Sequence, residues 1–287
     1  AADIDLAGVT ATGTNGVTTL NLKGAGAVTL LTLNEDITTI DASTMTAALT
    51  FTAANREANA STITGGLGDD SLPMEHKNDV IDGAAGTDTL EIVGHGVLGG
   101  FAVDLTSTTD QVTQYAGVSN SAVQKNFESV DLSGVTGTFG ADVTGTDKAN
   151  TVTGTGNADT ISTAKGNDTI TGGAGADIIT PGAGDNTITG SAGADTITLG
   201  TGANTLKYTQ TDGDGDTVTG FTSDDILDVT GLSSGAVTNT VHAQTKAVTL
   251  ATTTVLSNHL IDISLIDNRI YLAEVAIEAN IDTASDM

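Results

Sequence analysis

Between Gly145 and Lys207 the chain repeats itself every nine residues without a gap. The units are GTDKANTVT, GTGNADTIS, TAKGNDTIT, GGAGADIIT, PGAGDNTIT, GSAGADTIT and LGTGANTLK. Position six is always Asp or Asn, and position eight is always Val, Ile or Leu. A fixed short period of this kind specifies a solenoid, in which each unit buries its apolar residue only against neighbouring units. The last three positions read as a short strand with its middle side chain inward and its flanks outward. The first six are turn. Two units complete one coil, so residues 18 apart stack at the interstrand spacing of roughly 4.8 Å. Ile161, Ile179 and Ile197 then form one inner ladder, and Ile170, Ile188 and Leu206 the facing one.

A core only a few side chains across suits the composition. The 287 residues include 36 Gly, no Cys, no Trp and 3% aromatics, too few large side chains to fill a wide globular interior. The formal net charge is −27, from 36 acids against 9 bases. Such a field excludes nucleic acid, which needs a basic surface, and repels anionic lipid. It also destabilises a compact state unless cations relieve it. No apolar run approaches a membrane span, so membrane insertion is not expected. No secretory leader is visible.

The predicted organisation is all-β, an elongated parallel solenoid with flanking β-rich segments. Residues 1–55 carry strand-like Val17–Leu22, Val28–Leu33, Ile37–Ser43 and Leu49–Ala53, recurring too closely for helices between them. Their spacing suits either solenoid coils or short antiparallel strands. Residues 56–91 hold a first nonapeptide block: GGLGDDSLP from Gly65, MEHKNDVID from Met74 and GAAGTDTLE from Gly83, with Ser61 and Ile63 keeping the frame upstream. Residues 92–144 lose the repeat. There Phe101–Thr106 and Phe127–Val135 read as strands, and the stretch from Thr109 to Asn126 as a loop or one short helix. The second block and an acidic turn fill 145–229. Residues 230–287 form a strand-rich cap or assembly segment.

The turns carry the chemistry. A tight bend with its carbonyls facing one way needs glycine, and stacked carboxylates repel unless a cation lies between them. Carboxylate and carbonyl oxygens without nitrogen or sulfur suit a hard, geometrically tolerant ion, Ca²⁺ rather than Mg²⁺ or Zn²⁺. Several such ions are expected. In the second block the candidate metal-holding residues are Gly154, Gly156 and Asp159; Gly166 and Asp168; Gly172, Gly173, Gly175 and Asp177; Gly182 and Gly184; and Gly190, Gly193 and Asp195. In the first they are Gly65, Gly66, Gly68 and Asp70; Asp79; and Gly83, Gly86 and Asp88. Within DGDGD at 212–216, Asp214 and Asp216 form a candidate terminal calcium turn. The frames from 154, 172 and 190 put Asp159, Asp177 and Asp195 on one edge. The frames from 145, 163, 181 and 199 put Asn150, Asp168, Asn186 and Asn204 on the other. Because Asn supplies an oxygen without charge, the first edge is expected to bind calcium more strongly.

The GGxGxD-type units in register resemble the RTX repeats of secreted bacterial proteins. The resemblance covers about a third of the chain. It implies a β-roll, type I secretion as an unfolded chain, and folding outside the cell on meeting calcium. The stretch from Leu31 to Leu72, Thr/Ala-rich strands leading into repeats, is similar to bacterial surface-layer proteins of the RTX type. That likeness implies an extracellular, cell-surface array with self-association and a cell-surface polysaccharide as partners. The alternative is an RTX secretion and folding module of a larger enzyme, toxin or adhesin, the last binding a partner through residues 231–287.

No enzyme is expected. His76, His95, His242 and His259 are scattered and none lies in H-E-x-x-H. There is no G-x-S-x-G elbow, and carboxylates are too widespread to single out a hydrolytic pair.

Overall fold

A computed structural model describes residues 2–5, 18–32, 37–51, 59–97, 99–209, 216–231, 249–250, 259–266 and 269–276. Every regular element among them is a β-strand. The repeats wind as their period dictates. Thr151–Thr153, Thr169–Ala174, Thr187–Ala192 and Thr205–Thr209 stack in parallel, with Val152, Ile170, Ile188 and Leu206 in register. On the facing wall Thr160–Ser162, Ile178–Gly182, Thr196–Leu199 and Thr217–Thr219 align Ile161, Ile179, Ile197 and Val218. All eight inward residues are at most 1% exposed. At roughly 1.5–3 kcal/mol for each fully buried aliphatic side chain, these two columns hold the coils together.

One wall runs the length of the roll. A twelve-stranded parallel sheet begins with Ala2–Asp5 and ends with Thr249–Leu250. Its inner column continues through Leu30, Phe51, Leu72, Leu90 and Val130 into the second block. The non-repeat segment does not interrupt this sheet, because Ser129–Asp131 pairs with Thr89–Ile92 on one side and Thr151–Thr153 on the other. The opposite wall changes there. Thr19–Gly24, Thr39–Met45, Thr62–Thr64, Val80–Asp82 and Gln124–Lys125 make a five-stranded parallel sheet facing the first half. An eight-stranded sheet, extended by Phe101–Asp104 and Ala141–Thr144, faces the second. The N-terminal strands are therefore solenoid coils rather than an antiparallel meander.

The stretch from Thr109 to Asn126 is neither the loop nor the helix its composition suggested. Val112–Tyr115 and Val118–Ser119 form an antiparallel hairpin. Ala116 and Gly117, at φ 54° and 80°, make the tight turn, the left-handed pair that matches strand twist in a two-residue hairpin. β-Branched Val and Thr favour the strand, and Tyr115 anchors it. Its ring meets Phe101 edge to face at 5.0 Å. Its hydroxyl lies 2.7 Å from the carbonyl oxygen of Val93 and 3.0 Å from that of Glu75. Near the C-terminus His259–Ile266 and Arg269–Ala276 pair antiparallel.

Candidate metal centre

Each turn ends in an Asp or Asn whose backbone N–H would be stranded at the edge of the roll. A buried N–H needs an acceptor, and the side chain one coil onward supplies it. On the first edge Oδ1 of Asp159, Asp177, Asp195 and Asp216 accepts from the N–H of Ala141, Asp159, Asp177 and Asp195 at 2.6, 2.8, 2.9 and 2.8 Å. On the second, Asp168, Asn186, Asn204 and Asp225 accept from Asn150, Asp168, Asn186 and Asn204 at 2.8–3.3 Å. The first block repeats the device: Asp70 accepts from Leu49, Asp79 from Ser61 and Asp88 from Asp70. Position six is therefore half-used before any ion arrives, and the repulsion between stacked carboxylates is partly answered by backbone dipoles. Asn serves this role as well as Asp does.

The second oxygen divides the turns into two kinds. In capped turns the position-two N–H donates back to it: Gly66 to Asp70 at 2.6 Å, Glu75 to Asp79 at 2.9 Å and Thr155 to Asp159 at 2.7 Å. In open turns position two is left-handed: Ala84 at φ 71°, Ala164 at 69°, Gly173 at 111°, Gly182 at 74° and Ser191 at 76°. The Oδ2 atoms of Asp88, Asp168 and Asp177, the acids of three of these turns, are buried and accept no hydrogen bond. A left-handed Ala or Ser costs roughly 1–2 kcal/mol, and strain of this size persists where the surrounding structure imposes it, often at functional sites.

Burial, reinforced by neighbouring carboxylates, raises the Asp88 and Asp177 carboxyls to about 7. Asp70, Asp79, Asp159 and Asp168 are also raised, chiefly by burial. A carboxylate this costly to ionise is relieved by a proton or by a metal cation.

Position one completes the donor set. A Cβ built on Gly172 would lie 2.4 Å from Asp177 Oδ2 and 2.6 Å from the carbonyl oxygen of Gly190, the first residue of the next coil on that edge. On Gly65 it would lie 2.4 Å from Asp70 Oδ2 and 2.5 Å from the Gly83 oxygen, and on Gly83 it would lie 2.7 Å from Asp88 Oδ2 and 2.4 Å from the Asn126 oxygen. Each carboxylate and carbonyl pair thus converges closely enough for one cation to touch both, at the 2.3–2.6 Å typical of calcium–oxygen contacts. Only a residue without a side chain leaves that space. Among the described residues no three His, Asp or Glu side chains converge, so a metal here is held by single carboxylates with backbone carbonyls. The donors are all oxygen and the arrangement fits Ca²⁺.

The structure brings Asp159, Asp177, Asp195 and Asp216 into one row and Asp70 and Asp88 into another, with Asp79 on the opposite edge of the first block. Asp168 stands between Asn150 and Asn186. Asp214 lies outside the described residues. A Cβ on Gly156 would meet nothing within 4 Å, so its turn does not require glycine there. His76 is half-buried beside Asp79, its Nδ1 accepting from the N–H of Asn78 at 3.1 Å. Sequence reasoning missed Thr155, whose hydroxyl donates to Asp159 Oδ1 at 2.9 Å, and Glu128, whose carboxylate takes the Asp88 N–H at 3.0 Å where the repeat is lost. It also missed the pattern at position one, Gly154, Gly172 and Gly190 on one edge against Gly145, Thr163, Pro181 and Leu199 on the other, which was legible in the aligned units.

Comparison with curated proteins finds no matching relative. Comparison with protein families finds the RTX calcium-binding nonapeptide repeat in four copies, at residues 77–91, 144–179, 153–187 and 182–206. These spans contain the open turns of Asp88, Asp168, Asp177 and Asp195. The chain thus carries RTX nonapeptide repeats wound as a β-roll, and RTX repeats bind multiple calcium ions.

Proposed function

We propose that this is a calcium-dependent structural protein, without catalytic activity, that is exported by type I secretion, folds outside a bacterial cell and self-assembles into a surface layer or extracellular array. The observation that carries the reading is the twelve-stranded wall. It starts before the first repeat block, passes through the non-repeat segment and continues beyond the second. The roll is the body of the described residues. With a net charge of −27, copies of the chain repel one another in the absence of divalent ions. Calcium relieves that repulsion, so metal-binding energy contributes to folding and to assembly together. A cell-surface polysaccharide would serve as anchor.

Electron microscopy of purified full-length chain, with calcium and with chelator, tests this. Ordered sheets or filaments that form only with calcium are the expected result. A protein that stays monomeric at high concentration in millimolar calcium refutes self-assembly, and would favour a folding module of a larger secreted protein.

A further inference from the structure

After Gly145, which opens the second edge, the two edges of the second block differ at position one, and the difference is chemical. On the first edge Gly172 leaves the space between Asp177 Oδ2 and the Gly190 carbonyl clear. On the second edge the equivalent residue is Thr163, which is fully buried. Its hydroxyl donates at 3.0 Å to the carbonyl of Pro181, which is position one of the next coil just as Gly190 is for Gly172. The same hydroxyl stands beside Asp168 and favours its charged form, but its proton is directed at Pro181. The Asp168 turn is otherwise like that of Asp177. Position two is left-handed, at Ala164. Asp168 Oδ1 takes the N–H of Asn150, and Oδ2 is buried without a hydrogen bond.

We infer that Thr163 occupies the place a calcium ion would take in its coil, so that the Asp168 turn is a complete calcium site blocked by one side chain. A hydroxyl satisfies the carbonyl with one proton and, being neutral, adds no further negative charge to a crowded edge. Pro181 and Leu199, buried at the same position in the next two coils, close that edge by bulk, and their turns carry Asn186 and Asn204. The second edge therefore holds its register without an ion, through the side-chain ladder and the backbone bonds beside it, and the calcium row lies on the first. This rests on the repeats being calcium sites and is independent of assembly.

The test counts calcium ions per full-length chain, by equilibrium dialysis with radiolabelled calcium and by titration calorimetry. Asp177→Asn is expected to lose one ion. Asp168→Asn is expected to keep the unaltered count. Thr163→Gly is expected to gain one ion, Thr163→Gly with Asp168→Asn to return to the original count, and Thr163→Ser, which keeps the hydroxyl, to gain none. Loss of an ion in Asp168→Asn alone overturns the inference, since Asp168 would then be a ligand beside Thr163. So does a Thr163→Gly variant with an unchanged circular dichroism spectrum and no added ion, while Asp177→Asn loses one. An unchanged count in Asp177→Asn would instead remove the calcium row itself. Should Thr163→Gly loosen the coil, the Asp168→Asn count in the unaltered background decides.

Discussion

Replacing Gly172 by Ala separates the steric role of the turn from its role toward calcium. The added methyl would sit 2.4 Å from Asp177 Oδ2, 2.6 Å from the Gly190 carbonyl oxygen and 3.2 Å from Ile179 Cδ1. All three are well inside van der Waals contact, and two belong to groups fixed by the ladder and the backbone. Overpacking of this kind costs about 1–3 kcal/mol, and that cost applies in chelator. The methyl also fills the space between the two oxygens, so the variant forfeits whatever calcium contributes there. At free calcium 100 times the site's Kd, that contribution is about 2.7 kcal/mol. The variant should therefore lag the unaltered protein by about 1–3 kcal/mol in chelator and by about 4–6 kcal/mol in calcium. Gly156→Ala is the control, since its methyl meets nothing within 4 Å and should shift stability by no more than about 1 kcal/mol in either buffer. Urea unfolding followed by circular dichroism, in both buffers, measures all three proteins. An equal penalty for Gly172→Ala with and without calcium would refute the assignment of this space to the ion.

Asp88 and Asp177, at about 7 when folded against roughly 3.9 when unfolded, hold protons in the folded chain that the unfolded chain has released. In chelator the melting temperature should thus fall as pH rises from about 4 to about 7, whereas apparent calcium affinity should rise over the same interval as ions displace those protons; parallel slopes in the two buffers would contradict this. Thr155→Val keeps the shape and the backbone cap but loses the 2.9 Å bond to Asp159. It should cost about 1.5–3 kcal/mol, as much in chelator as in calcium, by the same unfolding assay. Ile179→Ala empties a fully buried rung and should cost about 2–5 kcal/mol; a smaller loss would mean that the column does not hold adjacent coils.

The winding of the roll was legible because a strict period leaves little choice. Once Val152, Ile170 and Ile188 fall 18 residues apart, parallel stacking with these residues inward is the arrangement that buries them all. The hairpin at Val112–Ser119 was not legible, since polar and β-branched residues mix there without period and its place is set by Tyr115 reaching Val93 and Glu75. At the metal centre the acids and glycines were visible, but the split between capped and open turns was not. It depends on φ at position two, and Ala84, Ala164 and Ser191 adopt a left-handed conformation that their side chains disfavour. The weaker charge of the second edge was read from Asn150, Asn186 and Asn204. The structure adds that these residues are sound ladder members, and that the steric difference between the edges lies five residues earlier, at position one.

The direction of the hydrogen bonds has a mechanical consequence. In a parallel solenoid the backbone bonds and the position-six side-chain bonds both point along the axis. A pull along that axis loads the coils in series, so the weakest rung yields first and the rest stay wound. Each coil that peels away releases about 60 Å of extended chain. An ion bridging adjacent turns lies across the same gap and would act as a clasp, so that ambient calcium sets the force at which the roll begins to unwind.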